Sequence, residues 1–251
     1  MMALALHAEW TKFRTTAGTW WLLLAAAFQC PPGDCTLQQT GADPAKIGFT
    51  GVFLGQVVIA LLAVLAIGGE YGTGMIRVTL TAVPRRLTAF TAKALVTAAG
   101  ALAASVLAVA GSALAGWLIL PGKGLIAANG YVPLSLGNPS DLRAAGGTVL
   151  YLTLIALLAF GVTTAVRDSA AGIGLVLGVL LLLPIVSAVI PDQALSRHLE
   201  QLAPMTAGLY IQVTEGVRQL PLTPWQGLGV TALWAAGALI LGATVLRLRD
   251  A

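Results

Sequence analysis

The sequence predicts an all-α, polytopic membrane protein with six transmembrane helices, and three observations lead to that prediction. Hydrophobic residues make up 57% of the 251 residues and charged residues only 10%, with a mean hydropathy of +0.87, whereas about 25% of a soluble domain is charged. The apolar residues form long runs without alternation, a pattern typical of membrane helices and not of a β-barrel. Charges and prolines are concentrated between those runs. We therefore expect one transmembrane domain over residues 1–251.

Six apolar runs mark the predicted spans. They cover residues 17–29, 47–69, 94–120, 146–166, 170–190 and 225–246. The first run is shorter than the ~20 residues that cross a bilayer, so its helix borrows earlier residues, or part of a span has been lost, or the bilayer is thinner there. Pro184 is expected to kink the fifth span. The connection 191–222 contains leucines that suit short helices dipping into one face of the membrane.

The segment before the first run is predicted to be an amphipathic interfacial helix over residues 1–16. Its apolar side chains recur at i, i+4 and i+7, as Leu6, Trp10 and Phe13. Trp10 would lie at the depth of the lipid headgroups, with Lys12 and Arg14 as cationic anchors beside it. The alternative is that this segment simply continues the first span.

The loop after the first run contains the two cysteines of the chain, Cys30 and Cys35. If this loop is outside the cell, the two residues can form a small disulfide. Two unpaired thiols are the alternative, and a metal site is disfavoured because no histidine is nearby.

The distribution of lysine and arginine predicts the orientation of the chain. With the N-terminus inside, the inside segments hold more of the 14 cations than the outside segments do. The inside cations are Lys12, Arg14, Arg77, Arg85, Arg86, Lys93, Arg167, Arg247 and Arg249, and the outside cations are Lys46, Lys123, Arg143, Arg197 and Arg218. Both termini are then cytoplasmic, in a multi-pass protein of the cell membrane.

Residues 68–93 interrupt the apolar sequence between the second and third spans. Glu70 stands at the end of the second run, and four cations follow it: Arg77, Arg85, Arg86 and Lys93. An apolar stripe of Ile76, Leu80 and Val83 favours a short amphipathic helix along the cytoplasmic membrane face, which Pro84 ends. A strand is the alternative, because apolar and polar residues also alternate here, but a lone strand would leave its backbone groups unpaired.

The spans and loops lack the residue patterns of several function classes. No charged residue or histidine lies in the middle of a predicted span, which disfavours an ion-coupled carrier. Residues 116–124 come nearest to a nucleotide-binding loop, but they contain one residue too many and end in glycine. We therefore expect no catalytic residues, no metal site, no cofactor and no nucleotide site in the chain itself. The net charge of +4 arises beside the apolar runs and does not indicate nucleic-acid binding.

The residues around Glu70 resemble those of permease subunits of ATP-binding-cassette (ABC) exporters of the type-2 class, particularly actinobacterial ones. The resemblance rests on residues 70–77 (EYGTGMIR), 83–86 (VPRR) and 93–95 (KAL), and on the opening segments 7–14 (HAEWTKFR) and 19–21 (TWW). It extends over the whole chain, and the short first run is where the chain departs from the family.

The resemblance implies a homodimer or heterodimer of permeases in membrane lipid, bound on its cytoplasmic side to a separate ABC ATPase that holds ATP and Mg²⁺. The segment after the second span would couple permease to ATPase, and Glu70 would pair with Arg77 or with a residue of the ATPase. The implied coupling residues are Glu70, Tyr71, Gly72, Thr73, Gly74, Arg77, Pro84, Arg85 and Arg86. The substrate would be exported, and the apolar spans suit a lipid-like or drug-like cargo. The alternative function is a non-transporting scaffold or sensor-associated subunit of the same fold.

Overall fold

A computed structural model describes residues 51–72, 86–119 and 137–248, which all belong to one compact unit, Asp43–Ala251. The regular secondary structure in these ranges is entirely helical. The predicted interfacial helix 1–16, the predicted span 17–29 and both cysteines lie outside the described residues.

Eight α-helices occur in the described ranges. They are α1 Val52–Gly72, α2 Arg86–Ile119, α3 Pro139–Val166, α4 Ser169–Leu177, α5 Leu183–Val189, α6 Gln193–Leu202, α7 Pro204–Leu209 and α8 Pro224–Leu248. A π-helical turn, Gly178–Leu182, joins α4 to α5, and 3-10 turns at Tyr210–Gln212 and Val217–Gln219 lie between α7 and α8.

Five segments of the described chain are long and apolar enough to cross a membrane. They are Val52–Gly72, Leu87–Leu114, Pro139–Val166, Ser169–Val189 and Pro224–Leu248, and they correspond to the second to sixth predicted spans. An all-helical, multi-pass membrane architecture is therefore confirmed. Two helices begin earlier than the apolar runs, α2 at Arg86 and α3 at Pro139. The added turns carry charged residues, which the hydropathy pattern assigned to loops.

α3 begins where local chemistry favours a helix start. The side chain of Asn138 accepts a hydrogen bond from the backbone N–H of Ser140 at 3.3 Å, and Pro139 stands in the first turn, where a missing N–H costs nothing. Asp141 in the first turn places a negative charge near the positive end of the helix dipole.

α3 is the central helix of the bundle and packs against α1, α2, α4 and α8. Buried side chains occur on all sides of it, as expected of a helix surrounded by others. Its buried threonines donate hydrogen bonds to the carbonyl four residues earlier, at 2.6–2.8 Å, and these are Thr148, Thr153, Thr163 and Thr164. The Tyr151 hydroxyl donates to Oε1 of Gln56 on α1. Polar groups that lipid could not solvate are thus enclosed by protein.

α8 approaches α3 closely because both helices carry glycine at the contact. A Cβ on Gly161 would lie 2.5 Å from the carbonyl carbon of Ala238, and a Cβ on Gly242 would lie 2.7 Å from the carbonyl oxygen of Gly161. Small residues at such contacts allow membrane helices to pack backbone against backbone.

The successive spans alternate in direction, so the ends of α1, α3 and α8 lie at the same end of the bundle as the starts of α2 and α4. We call this the Arg167 end, and the opposite end the Arg143 end. Contacts between helices support the assignment: Gly68 near the end of α1 lies against Ser169 at the start of α4, whereas Gly51, before α1, lies near Ser112 in the second half of α2.

The connection between α5 and α8 turns back into the bundle at the Arg143 end. Arg143 Nη2 of α3 donates a hydrogen bond to the carbonyl of Val213, and Thr231 Oγ1 of α8 donates to the carbonyl of Pro204 at 2.9 Å. Thr231 is seven residues into α8, so at 1.5 Å per residue Pro204 lies about 10 Å along the bundle from the start of that helix. α7 therefore packs between α3 and α8.

Candidate coupling site

The predicted coupling residues that the structure describes lie at the Arg167 end. Glu70, Tyr71 and Gly72 form the last turn of α1, which continues beyond the predicted end of the span at residue 69. Arg86 begins α2. The remaining predicted site residues lie outside the described ranges, namely Thr73, Gly74, Arg77, Pro84 and Arg85 of the coupling segment, the anchors Trp10, Lys12 and Arg14, and the cysteines Cys30 and Cys35.

An ion pair joins α1 to α2 at this end. Lys93 Nζ donates a hydrogen bond to Glu70 Oε2, and the side chains are 22% and 30% exposed. The early start of α2 places Lys93 two turns inside the helix, beside the last turn of α1. Half-buried charges are screened less by salt than exposed ones, so this pair holds the two helices together where the segment 73–85 connects them.

An apolar cluster lies next to the ion pair and involves four helices. Its buried members are Ile67 of α1, Phe90 of α2, Phe160 of α3 and Leu246 of α8. The rings of Phe90 and Phe160 pack with their centroids 5.4 Å apart and tilted by 49°, a favourable aromatic arrangement. The cluster thus places all four helices in one apolar contact next to the ion pair.

A two-residue turn at Arg167 and Asp168 joins α3 to α4. Arg167 has a left-handed backbone, with φ of 63°, and its N–H donates to the carbonyl of Thr163 at 2.7 Å. Asp168 caps α4 by accepting a hydrogen bond from the N–H of Ala171 at 2.7 Å. A non-glycine residue in this conformation costs of order 1–3 kcal/mol and persists where its surroundings determine it.

The side chain of Arg167 supplies part of that constraint. Its Nη2 donates to the carbonyl of Val245 in the last turns of α8 at 3.1 Å, a position where a cation also complements the helix dipole. Tyr71 of α1 lies near this guanidinium, and its hydroxyl is buried without a hydrogen-bond partner among the described residues. Arg167 thus links the ends of α3 and α8.

The charged groups of this site take part in an ion pair, a helix cap and a hydrogen bond to a helix carbonyl. Within residues 51–72, 86–119 and 137–248, no three His, Cys, Asp or Glu side chains lie together where they could hold a metal ion. The described part of the site thus joins the helix ends that flank the segment 73–85 through these contacts.

Sequence reasoning missed three members of this site: Lys93 as the partner of Glu70, Arg167, and the carbonyl of Val245. The alternation of span directions was the available signal. It places the end of α1, the start of α2, the α3–α4 turn and the end of α8 at one side, where Glu70 stands as an anion among several cations.

The sequence matches no protein-family model and no curated protein.

Proposed function

We propose that this chain is the membrane-spanning permease subunit of an ABC exporter of the type-2 class, and that a separate ATPase subunit supplies the free energy of ATP hydrolysis. One observation carries the proposal: the residues that resemble this class lie in and around the segment 73–85, and the Glu70–Lys93 ion pair joins the two helices that flank it. A segment held at its base in this way can transmit force from a bound partner to the helices.

The proposed path of that force begins at the segment 73–85, against which the ATPase subunits close when they bind ATP. The ion pair moves the end of α1 and the start of α2 together. The cluster of Ile67, Phe90, Phe160 and Leu246 passes the movement to α3 and α8. Such a chain of packed side chains changes accessibility across the membrane only if the bundle has two stable arrangements, one open to each side.

The orientation in this proposal places the Arg167 end in the cytoplasm. The described cations at or near that end number four, namely Arg86, Lys93, Arg167 and Arg247, and those at the opposite end number three, namely Arg143, Arg197 and Arg218. The cation distribution over the whole sequence gives the same orientation. The permease would work as a homodimer or heterodimer in the cytoplasmic membrane, with ATP and Mg²⁺ bound by the ATPase and an amphipathic compound as cargo.

A charge-swap experiment tests the coupling role of the ion pair. Glu70→Lys and Lys93→Glu each place two like charges together, so each single variant should lose most of its ability to stimulate the co-purified ATPase and to export cargo. The double variant restores opposite charges and should recover much of both activities. Arg218→Glu, at the opposite end of the bundle, is the matched control and should behave like the native chain.

Co-purification from the native membrane decides between the permease and a non-transporting scaffold subunit. A permease should bring down a soluble ATPase with a Walker A loop. The permease assignment fails if no ATPase is recovered. It fails too if single cysteines placed at 85 or 86 in a Cys30→Ser/Cys35→Ser background are labelled by an impermeant thiol reagent from outside the cell. If an ATPase is recovered but both single charge variants stimulate it normally, only the role of the ion pair fails.

A further inference from the structure

α6 differs in character from the membrane-spanning helices, and it lies at the end of the bundle opposite the coupling site. It is amphipathic and, unlike the spans, contains no buried residue. Leu195, Leu199 and Leu202 recur at i, i+4 and i+7 along one side of the helix. Arg197 lies on the opposite side, and His198 lies between the two. This pattern is typical of helices that lie in a membrane interface.

Hydrogen bonds fix α6 beside the end of one span and the middle of another. Asp192 caps it through the N–H of Ala194 at 2.8 Å. Ser196 Oγ donates to the carbonyl of Ser187, in the last turn of the Ser169–Val189 span, at 2.9 Å. Trp234 Nε1 of α8 donates to the carbonyl of Leu202, also at 2.9 Å. The helix therefore slopes inward from the Arg143 end. It begins beside the end of the Ser169–Val189 span, and its last residue, Leu202, lies beside Trp234, ten residues past the start of α8.

Both chemical faces of α6 are open. Leu195 and Leu202 are 49% and 63% exposed. Arg197 and His198 are exposed as well, and neither has a hydrogen-bond or ion-pair partner in the described part of the chain. Glu200 is partly buried, and the hydroxyl of Tyr210 donates to its carboxylate at 3.5 Å. The open surface thus carries leucines, Arg197 and His198, whereas the one acidic residue of the helix is bonded to Tyr210.

The neighbouring surface carries an exposed tryptophan, a residue typical of the membrane boundary. Trp225, at the start of α8, is 58% exposed, and tryptophan is enriched where a span leaves the hydrocarbon. A phospholipid presents acyl chains on one side of this boundary and a phosphate on the other. It therefore matches both halves of the open surface of α6, apolar contact for the leucines and an anion for Arg197 and His198.

We propose that α6 is an interfacial helix that binds an anionic phospholipid in the leaflet at the Arg143 end. Leu195 and Leu202 contact the acyl chains, and Arg197 and His198 bind the lipid phosphate. Because charge and apolar area act together in such binding, the site favours anionic over zwitterionic lipid. This inference does not depend on the transport function.

The placement of α6 is tested with spin labels on the full chain. Single cysteines replace Leu195, Leu202 or Arg197 in a Cys30→Ser/Cys35→Ser background, and the labelled chains are reconstituted in nanodiscs of phosphatidylcholine and phosphatidylglycerol. Labels at 195 and 202 should collide more with oxygen than with a water-soluble nickel chelate, and the label at 197 should show the reverse. A label at Gln219, an exposed position of the 3-10 turn, is the aqueous control. Equal nickel accessibility at 195, 202 and 219 would overturn the interfacial placement.

Headgroup binding is tested with spin-labelled lipids that report the immobilised fraction at the protein surface. The native chain should bind phosphatidylglycerol more tightly than phosphatidylcholine. A cation near an anionic membrane surface contributes about fivefold in binding, so Arg197→Gln should lower the preference about fivefold. Arg218→Gln removes the same charge at the same end of the bundle, but from the 3-10 turn Val217–Gln219 and not from α6, and it should leave the preference unchanged. The proposal is wrong if the two variants lose the preference equally, or if neither does.

Discussion

Replacing Gly161 by alanine should destabilise the bundle, because the added methyl group has no space between α3 and α8. The new Cβ would lie 2.5 Å from the carbonyl carbon of Ala238 and 2.7 Å from the backbone nitrogen of Leu239. Carbon atoms pack favourably at about 3.5–4.0 Å, so the helices would have to separate by roughly 1 Å. The obstructing atoms belong to the backbone of α8 and cannot rotate away. Inserting a methyl group into such a contact costs about 1–3 kcal/mol of folding free energy.

The measurement is thermal unfolding of the purified full chain in detergent micelles, followed by intrinsic fluorescence. For a chain of this size, 1 kcal/mol changes Tm by about 2–4 °C, so Gly161→Ala should lower Tm by about 2–12 °C. Gly146→Ala is the matched control on the same helix, because a Cβ at Gly146 meets nothing within 4 Å. The control should keep or slightly raise Tm through better helix propensity, by up to about 1 kcal/mol. A Gly161→Ala variant with the Tm of the native chain would refute the close approach of α3 and α8.

Two further predictions concern buried and pH-sensitive polar groups. Tyr151→Phe and Gln56→Leu should each lower Tm, because each leaves its partner's polar group buried alone. The double variant should lose less free energy of unfolding than the two single variants lose together, by about 0.6–2 kcal/mol. Strict additivity of the two losses would mean that the hydrogen bond does not form. Burial, the charge of Glu200 and the hydrogen bond to that carboxylate raise the pKa of Tyr210 to about 12. The folded state therefore favours the neutral phenol. Its contribution to stability is present below the ordinary pKa of 10.0 and is lost as the pH rises from there towards 12. The absorbance titration at 295 nm, taken as the difference from Tyr210→Phe, should shift to lower pH in Glu200→Gln, and an unchanged titration would exclude Glu200 as a cause.

The spans could be predicted from sequence because lipid imposes a simple requirement on them. A helix that crosses hydrocarbon needs a long apolar run, and the runs at 47–69, 94–120, 146–166, 170–190 and 225–246 each coincide with a described helix. The ends of these helices could not be predicted as accurately. Lys93 and Arg143 lie inside helices because the first turns of α2 and α3 extend past the apolar runs, and a hydropathy pattern does not record where a polar turn remains helical.

The central position of α3 was not predicted, although the sequence contains a signal for it. This span carries Thr148, Tyr151, Thr153, Thr163 and Thr164, and hydroxyl-rich spans are expected to face protein in preference to lipid. No local sequence pattern could predict the Glu70–Lys93 pair, because the pair depends on how far α2 extends and on which face of α2 meets α1. Glu70 was instead expected to pair with Arg77 or with the ATPase.

The π-helical turn at Gly178–Leu182 has a consequence for the register of its span. A π turn accommodates one more residue than an α turn, so everything after it is rotated by about 100° relative to an uninterrupted helix. Pro184 follows within two residues and lacks the N–H that a regular ladder would use. The rotation brings Ser187 to the buried side, where its carbonyl accepts the hydrogen bond of Ser196. Deleting a single residue between 178 and 182 would therefore rotate the second half of the span about its axis. The span would stay apolar, but Ser187 would turn outward and α6 would lose its hydrogen bond to this span.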